Sequence, residues 1–326
     1  MDNICHTLVG AALAESGLKR RTALGSATLM IAANLPDVDV IAVPLGHSLG
    51  FRRGITHGVP ALIVLPVVLM IVMLAWYRWR GRGAEPPKPG SLLLLSAIGV
   101  ATHSFLDWLN TYGMRWLMPI DPSWSYGDTL FIADPWIWLA LGAGVWLSRR
   151  RQAHPASHGT TSAPARVALV AVALYIAAMG SLAAIARRAV REALIARGIT
   201  ADTVVVEPVP ANPLSRRVIY LWQGSYRLAT YRLSRTSDLT DPWFEIPLNA
   251  EHAAVAMANR TAQGHEYHSW ARLPYYVIEP AGDTTWVTIA DVRYTLNGRS
   301  SWAAARIPVV AGASAASHSG DHRSTP

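Results

Sequence analysis

Long runs of apolar residues, separated by short polar segments, fill the first 186 residues of the chain. A helix needs about 20 apolar residues to cross a bilayer, and four of these runs approach or reach that length. They span residues 59–77, 91–112, 130–147 and 167–186. Two shorter runs, 6–18 and 22–35, precede them and suit a helical hairpin that dips into the membrane. The pattern predicts a mainly α membrane protein with a short N-terminal hairpin and about four transmembrane helices.

Beyond residue 187 the pattern changes to short β-branched and aromatic runs bounded by Pro, Gly, Asn and Asp, which is typical of strands. These runs span residues 203–206, 218–222, 226–233, 275–278 and 284–289, and 251–260 has a helical pattern. We therefore expect a membrane-embedded domain at 1–187, a mostly β extramembrane domain at 188–310, and a disordered Ser/Ala/His-rich tail at 311–326.

Composition agrees with a membrane protein, since 51% of the residues are hydrophobic and only 15% are charged. The net charge is +8, but the basic residues cluster at segment ends instead of alternating with aromatics on one face. This distribution argues against nucleic-acid binding and favours topology signals. The single cysteine, Cys5, excludes an intrachain disulfide and a cysteine-based zinc motif.

The positive charges are unequally divided between the two membrane faces. Eleven Lys and Arg residues lie in segments 19–21, 78–88 and 149–166, against six near the opposite face. The positive-inside rule then places the first face in the cytoplasm. We expect a multi-pass protein of the inner (cytoplasmic) membrane, with its β domain on the extracytoplasmic side.

Candidate chemistry begins with His103 and Asp107, which interrupt an apolar helical run. Positions four apart share one helical face, so the imidazole and the carboxylate point the same way. Ionisable groups in a membrane-like segment are costly and usually functional. The pair predicts half of a metal site, although a His–Asp hydrogen bond that only joins two helices is the alternative.

Other polar residues fall in the same predicted layer. His6 begins the first short run, Asp37 and Asp39 end the second, and His57 precedes the first full span. The candidate metal ligands are therefore His6, Asp37, Asp39, His57, His103 and Asp107. Histidine and aspartate without cysteine suit Zn²⁺ best, with Mn²⁺ or Fe²⁺ as alternatives, and six ligands suffice for one to three ions.

Each of these residues also has a simpler interpretation. Asp37 and Asp39 can cap a turn after Pro36, and His57 can be an interfacial histidine. Arg53, a candidate bidentate donor to a substrate phosphate, can be a lipid headgroup anchor.

The motifs, taken in order, carry a resemblance. His6, the segment NLPDVD at 34–39, RGITH at 53–57 and HSFLD at 103–107 resemble the YdjM-type family of membrane-bound, predicted metal-dependent hydrolases over residues 1–150. That family is in turn thought to be similar to zinc-dependent phospholipase C and P1-type nucleases, which implies phosphoester hydrolysis. The family pattern H-R-G-x-T-H-S reads R-R-G-I-T-H-G here, so that Arg52 and Gly58 replace a histidine and a serine. A full metal complement would then need a substitute ligand such as His47 or Asp128.

These observations together predict a membrane hydrolase that cleaves a phosphoester, including a lipid-linked one, with metal-activated water. Asp37 is the expected catalytic base and Arg53 the expected substrate-binding residue. The bilayer and a lipid or phosphoester substrate are the expected partners. The alternative is a non-catalytic membrane protein with a structural or sensory metal site and a partner-binding β domain. A transporter would need polar residues at several depths, whereas here they share one.

Overall fold

The computed structural model describes residues 1–45, 52–80, 85–153, 161–233, 242–300 and 302–310. The chain divides into two compact units. The first comprises Met1–Trp222 and Arg227–Phe244, and the second comprises Gln223–Tyr226 and Glu245–Pro326. The domain boundaries expected from composition stay a prediction, and the predicted disordered tail at 311–326 lies outside the described residues.

The N-terminal hairpin consists of α1 (Asn3–Glu15) and α2 (Gly25–Ala32), joined through a 3₁₀ turn at Leu18–Arg21. Helix α1 begins where it does because Asp2 caps it, its carboxylate accepting from the amides of Ile4 at 3.0 Å and Cys5 at 3.1 Å. After α2 the chain continues as a 3₁₀ segment, Leu35–Leu45. This segment contains Asp37 and Asp39, two of the candidate metal ligands.

Four longer helices follow: α3 (Val59–Arg80), α4 (Pro89–Trp108), α5 (Pro135–Ala153) and α6 (Ala163–Ala196). Within the described part of the chain, α3, α4 and α6 are long and apolar enough to cross a membrane. The expected number of about four spans is therefore not confirmed. Helix α5, predicted at 130–147, instead runs from Pro135 into the arginines at 149–151, which lower its hydropathy.

Helix α4 ends at Trp108, earlier than the apolar run to residue 112 predicts. The side chain of Asn110 explains this end, because its Oδ1 accepts from the amide of Tyr112 at 2.9 Å. A side-chain oxygen that binds the backbone in this way competes with helical hydrogen bonding. His103 and Asp107 thus lie in the last turns of α4.

The basic segments gather at the other end of this helical region. The hydrogen bonds between them join Lys19 Nζ to Gln152 Oε1 (2.8 Å), Arg20 Nη2 to Thr161 Oγ1 (3.1 Å) and the Lys88 amide to Thr22 Oγ1 (2.7 Å). From Lys88, α4 rises by about 1.5 Å per residue, so His103 lies about 22 Å from the basic end. This separation agrees with the prediction that the basic segments and the layer of polar candidates lie toward opposite ends of the helices.

The rest of the chain forms two sheets. The first contains β1 (Thr203–Val209), β2 (Asn212–Trp222), β3 (Ser225–Arg232) and β4 (Phe244–Pro247) in that order, and the second contains β5 (Pro274–Ala281), β6 (Thr284–Asp291) and β7 (Ala304–Val310). Pairs β1–β2, β5–β6 and β6–β7 are antiparallel. Helices α7 (Ala253–Asn259) and α8 (Ala262–Trp270) lie between the sheets in sequence. All five predicted strands and the predicted helix at 251–260 are confirmed.

Three elements were missed, and several predicted elements are longer than expected. Strand β7 contains Pro308, which argues against a strand but is tolerated because β7 lies at a sheet edge. Helix α8 contains Gly264, a weak helix former, and β4 has only four residues. Helix α6 extends beyond its predicted end at 186, because Ala186, Val190 and Leu194 form a stripe at i, i+4 spacing that packs on the first sheet.

Candidate metal centre

Four buried side chains converge at the end of α4 opposite the basic segments. Asp37, His57, His103 and Asp107 each offer one ligand atom, and these atoms all lie within 4.8 Å of one another. The two Nε2 atoms are 3.1 Å apart. Asp107 Oδ2 lies 3.4 Å from the Nε2 of His57 and 3.5 Å from that of His103, and Asp37 Oδ1 lies 3.7 and 3.9 Å from the same two atoms.

These distances fit one tetrahedral ion. Ligand atoms at about 2.0–2.1 Å from a zinc-sized ion lie about 3.3–3.5 Å from one another. Five of the six separations lie between 3.1 and 3.9 Å, and the sixth, between the Asp37 and Asp107 oxygens, is within 4.8 Å. Moreover, two ring nitrogens and two carboxylate oxygens are all acceptors when deprotonated, so such a set is held together only by protons or by a cation. The cluster can therefore hold a metal ion, and its N/O donors are compatible with several divalent metals.

His103 is oriented by the end of α2. Its Nδ1 donates to the carbonyl of Ala33 at 2.8 Å, which leaves Nε2 directed at the cluster. Gly99, one turn earlier on α4, makes this approach possible, because a Cβ there would lie 2.4 Å from the Cβ of Ala32. The close crossing of α4 and α2 thus sets the tautomer and position of the ring.

His57 is held by residues around it and by Asp39. Its Nδ1 shares a hydrogen bond of 3.0 Å with Thr56 Oγ1 and lies 3.5 Å from Asp39 Oδ2. Ser104 donates to the His57 carbonyl at 2.9 Å. A carboxylate behind the far nitrogen of a histidine is typical of metal sites, where it raises the basicity of the ligand. Asp39 therefore lies behind His57 and outside the four, and its own ligand role stays a prediction.

His6 lies on the other side of Asp107. Its Nε2 is 3.2 Å from Asp107 Oδ1, and its ring stacks on that of His103 with centroids 3.9 Å apart. Asp107 thus directs one oxygen at the cluster and the other at His6 and the Met1 amine. His6 is next to the four but not one of them, and its role as a ligand stays a prediction.

Arg53 lies beneath the cluster and is almost fully buried. Its Nε is 3.0 Å from Asp107 Oδ2, and its Nη1 donates to Asn110 Oδ1 at 3.0 Å and to the Gly113 carbonyl at 3.2 Å. Its φ of 52° is in the left-handed region, a strained state for a residue with a side chain, and its amide donates to Asp39 Oδ2 at 2.8 Å. The guanidinium is engaged within the protein, so its predicted phosphate contact stays a prediction.

Arg52 lies on the more open side of the cluster. Its side chain is 30% exposed, with Nη2 3.4 Å from Asp37 Oδ1 and Nε 3.6 Å from Asp39 Oδ1. Arg52 therefore brings a cation to the two aspartates.

The charges of the two ligands outside the spanning helices influence each other. Burial alone would raise the pKa of the Asp37 carboxyl, but contact with His57 and the nearby His103 ring lower this pKa to about 2. Burial likewise opposes protonation of His57, yet Asp107 and Asp37 raise its pKa above the ordinary value. Asp37 consequently presents an ionised oxygen at neutral pH.

Gly58 and the two possible substitute ligands, Asp128 and His47, have different positions relative to the cluster. A Cβ at Gly58 would lie 2.9 Å from the carbonyl oxygen of Trp116, which also accepts from the amide of Val59 at 2.8 Å. This close contact excludes a serine in the present backbone. Asp128 is not among the four, and its carbonyl accepts from Arg216 at 3.0 Å. His47 lies outside the described residues.

Sequence reasoning missed the residues that support the ligands. Asn110 lies three positions after Asp107, and Thr56 and Ser104 are direct neighbours of the two histidines. Asn110 lies beyond the end of α4, so helical spacing from Asp107 provided no signal for it. The Ala33 carbonyl had no sequence signal, because any residue supplies a carbonyl.

Comparison with known proteins agrees with the motifs. The family model described as YdjM inner membrane protein matches residues 1–186. The chain is 23% identical over 157 residues to the uncharacterized protein YfhP of Bacillus subtilis (strain 168), covering 44% of this chain and 45% of that protein. It is 29% identical over 115 residues to the inner membrane protein YbcI of Escherichia coli (strain K12), covering 33% and 56%. The chain thus spans about half the length of these curated relatives, and no solved structure matches it.

The matched region contains α1 to α5 and most of α6, with all four residues of the cluster. More than half of the chain is covered, and the ordered motifs that suggested the family lie within the match. The chain therefore belongs to the YdjM inner membrane protein family.

Proposed function

We propose that this protein is a metal-dependent hydrolase of the inner membrane that cleaves a phosphoester. The observation that carries the proposal is the convergence of two imidazole nitrogens and two carboxylate oxygens within 4.8 Å of one another. A buried site built only from His and Asp is typical of metal-dependent hydrolysis. The remote similarity to zinc-dependent phospholipase C and P1-type nucleases is part of the proposal.

The four ligands differ in their access to substrate. The side chains of His57, His103 and Asp107 have no exposed surface, whereas that of Asp37 is 10% exposed. Water and substrate therefore approach from the Asp37 side. A divalent ion held there would lower the pKa of a coordinated water towards neutrality. Asp37, the partly exposed ligand, would orient that water and accept its proton.

The surrounding residues suggest where further ions would bind. Zn²⁺ is the expected metal, with Mn²⁺ or Fe²⁺ as alternatives, in one to three ions. The four described ligands would surround one ion, which would bind water as a fifth ligand or in place of Asp37. A second ion would use Asp107 Oδ1 together with His6, whose Nε2 is 3.2 Å away. Asp39 lies behind His57, and it would bind an ion only if its contacts with His57 and the Arg53 amide were replaced.

Hydrolysis is tested with purified protein in detergent, supplied with zinc or manganese. We expect release of the leaving group from bis(p-nitrophenyl) phosphate or of phosphate from lipid phosphates. Asp37→Asn should lower kcat by about 10²-fold or more, the range that a general base contributes, while part of the metal is retained. Asp283→Asn, an exposed aspartate in the turn before β6, is the matched control and should retain wild-type activity.

One outcome favours the non-catalytic alternative. Metal-loaded wild-type protein that hydrolyses none of these substrates would indicate a structural or sensory metal site, with the β domain as the partner-binding part. Equal rates for Asp37→Asn and wild type would remove Asp37 from the mechanism but leave hydrolysis in place.

We further infer that the β domain is extracytoplasmic. The support is the excess of Lys and Arg in the three basic segments, together with the hydrogen bonds that gather them at one end of the helical region. Alkaline phosphatase fused to the C-terminus should be active, and a fluorescent protein that folds only in the cytoplasm should stay dark. The reverse result would place both the β domain and the metal centre in the cytoplasm.

A further inference from the structure

A groove of about 460 Å³ opens between α1 and the segment from α2 to Val38, and Asp37 lies in its wall. Asn3, Thr7 and Asn34 form its polar side. Asn34 Nδ2 donates to Thr7 Oγ1 at 3.1 Å, and Thr7 donates to the Asn3 carbonyl at 2.7 Å. This chain of hydrogen bonds joins α1 to the segment after α2 along the polar wall.

The other wall of the groove is apolar. It consists of Met30, Ile31, Leu35 and Val38. Ile31 is 44% exposed and Val38 is 42% exposed. Exposed branched aliphatic side chains are costly in water but favourable against hydrocarbon, the surroundings predicted for this hairpin. The groove is therefore amphipathic along its length.

The groove and the metal centre share Asp37. Its Oδ1 is the atom that faces His57 and His103, and it is also 3.4 Å from Arg52 Nη2. Asp37 retains exposure while the other three ligands do not. A molecule in the groove would therefore have its end at the opening of the cluster, where an arginine compensates negative charge.

We propose that this groove binds one hydrocarbon chain of an amphipathic phosphoester, a membrane phospholipid in chemical class. Its phosphate lies at Asp37 and Arg52, and its chain lies along Ile31, Leu35 and Val38. This inference rests on the proposed function for the position of the phosphate. A water-soluble phosphoester has no hydrocarbon chain that could contact the apolar wall.

The binding test uses phosphatidic acid with a diazirine in one acyl chain, added to the full-length protein in detergent micelles. After irradiation, mass spectrometry should locate crosslinks between Met30 and Val38. Ile31→Trp should reduce them by about tenfold, the effect of lost contact with roughly two methylene groups. Ile63→Trp is the matched control: this isoleucine on α3 is 67% exposed and does not line the groove, so crosslinking should be unchanged.

A second readout separates this inference from the proposed function. With an active enzyme, Ile31→Trp should raise KM for the lipid phosphate by about tenfold and leave the kinetics of bis(p-nitrophenyl) phosphate unchanged. Crosslinks that spread evenly over the lipid-facing helices, or that are equal in both tryptophan variants, would overturn the proposed lipid site even if hydrolysis is found. Crosslinks confined to the groove in a protein without activity would support the lipid site while the proposed function fails.

Discussion

His103→Ala should abolish metal binding, which we expect to be the largest effect of any single substitution in the centre. The ring supplies Nε2 to the cluster, and its Nδ1 is anchored on the Ala33 carbonyl at 2.8 Å. Loss of a supporting residue alone costs about 10–100-fold in metal affinity, so loss of a ligand should cost more than about 100-fold. Metal content after purification and dialysis, measured by mass spectrometry, checks this.

The matched control is His265→Ala, an exposed histidine on α8. It should keep the metal content and activity of the wild type. Retention of full metal by His103→Ala would reduce the His103–Asp107 pair to a contact between helices, and the cluster would then not be a metal site.

Arg53→Ala should lower the free energy of unfolding by about 3–5 kcal/mol, the cost of removing one partner of a buried ion pair. The Arg53 Nε lies 3.0 Å from Asp107 Oδ2, and the side-chain exposures are 5% and 0%. The same change leaves Asn110 Oδ1 without its 3.0 Å donor. Denaturant titration of metal-free protein in detergent checks this, because a bound ion would compensate Asp107 and mask the loss.

Two further variants separate the charge effect from general damage. Arg53→Ala with Asp107→Ala should be less destabilised than the sum of the single variants, since neither charge is then left buried alone. Arg188→Ala, which removes an exposed ion pair with Glu192 at 2.8 Å, should produce no measurable change. Additive single effects would exclude a direct role for the Arg53–Asp107 pair in stability.

Much of this architecture follows from local pattern. The apolar runs at 59–77, 91–112 and 167–186 correspond to helices that can cross a membrane, because the bilayer imposes length and composition on such helices whatever their neighbours are. The strands after residue 200 were equally predictable, because alternating β-branched residues bounded by turn formers indicate a strand without any knowledge of the tertiary structure. Element ends were less predictable. The end of α4 depends on the Asn110 side chain, and the extension of α6 depends on its packing against the first sheet.

The sequence by itself supplied the candidate ligands, but only the tertiary structure decided which of them lie together. The i, i+4 spacing of His103 and Asp107 is a property of any helix, and motif order added Asp37 and His57. Nothing in the chain distinguished these four from Asp39 and His6. That division arises from the crossing of α4 over α2 at Gly99 and from the backbone of Arg53. Distances between side chains far apart in sequence are set by helix packing, and packing depends on all the residues at the contact.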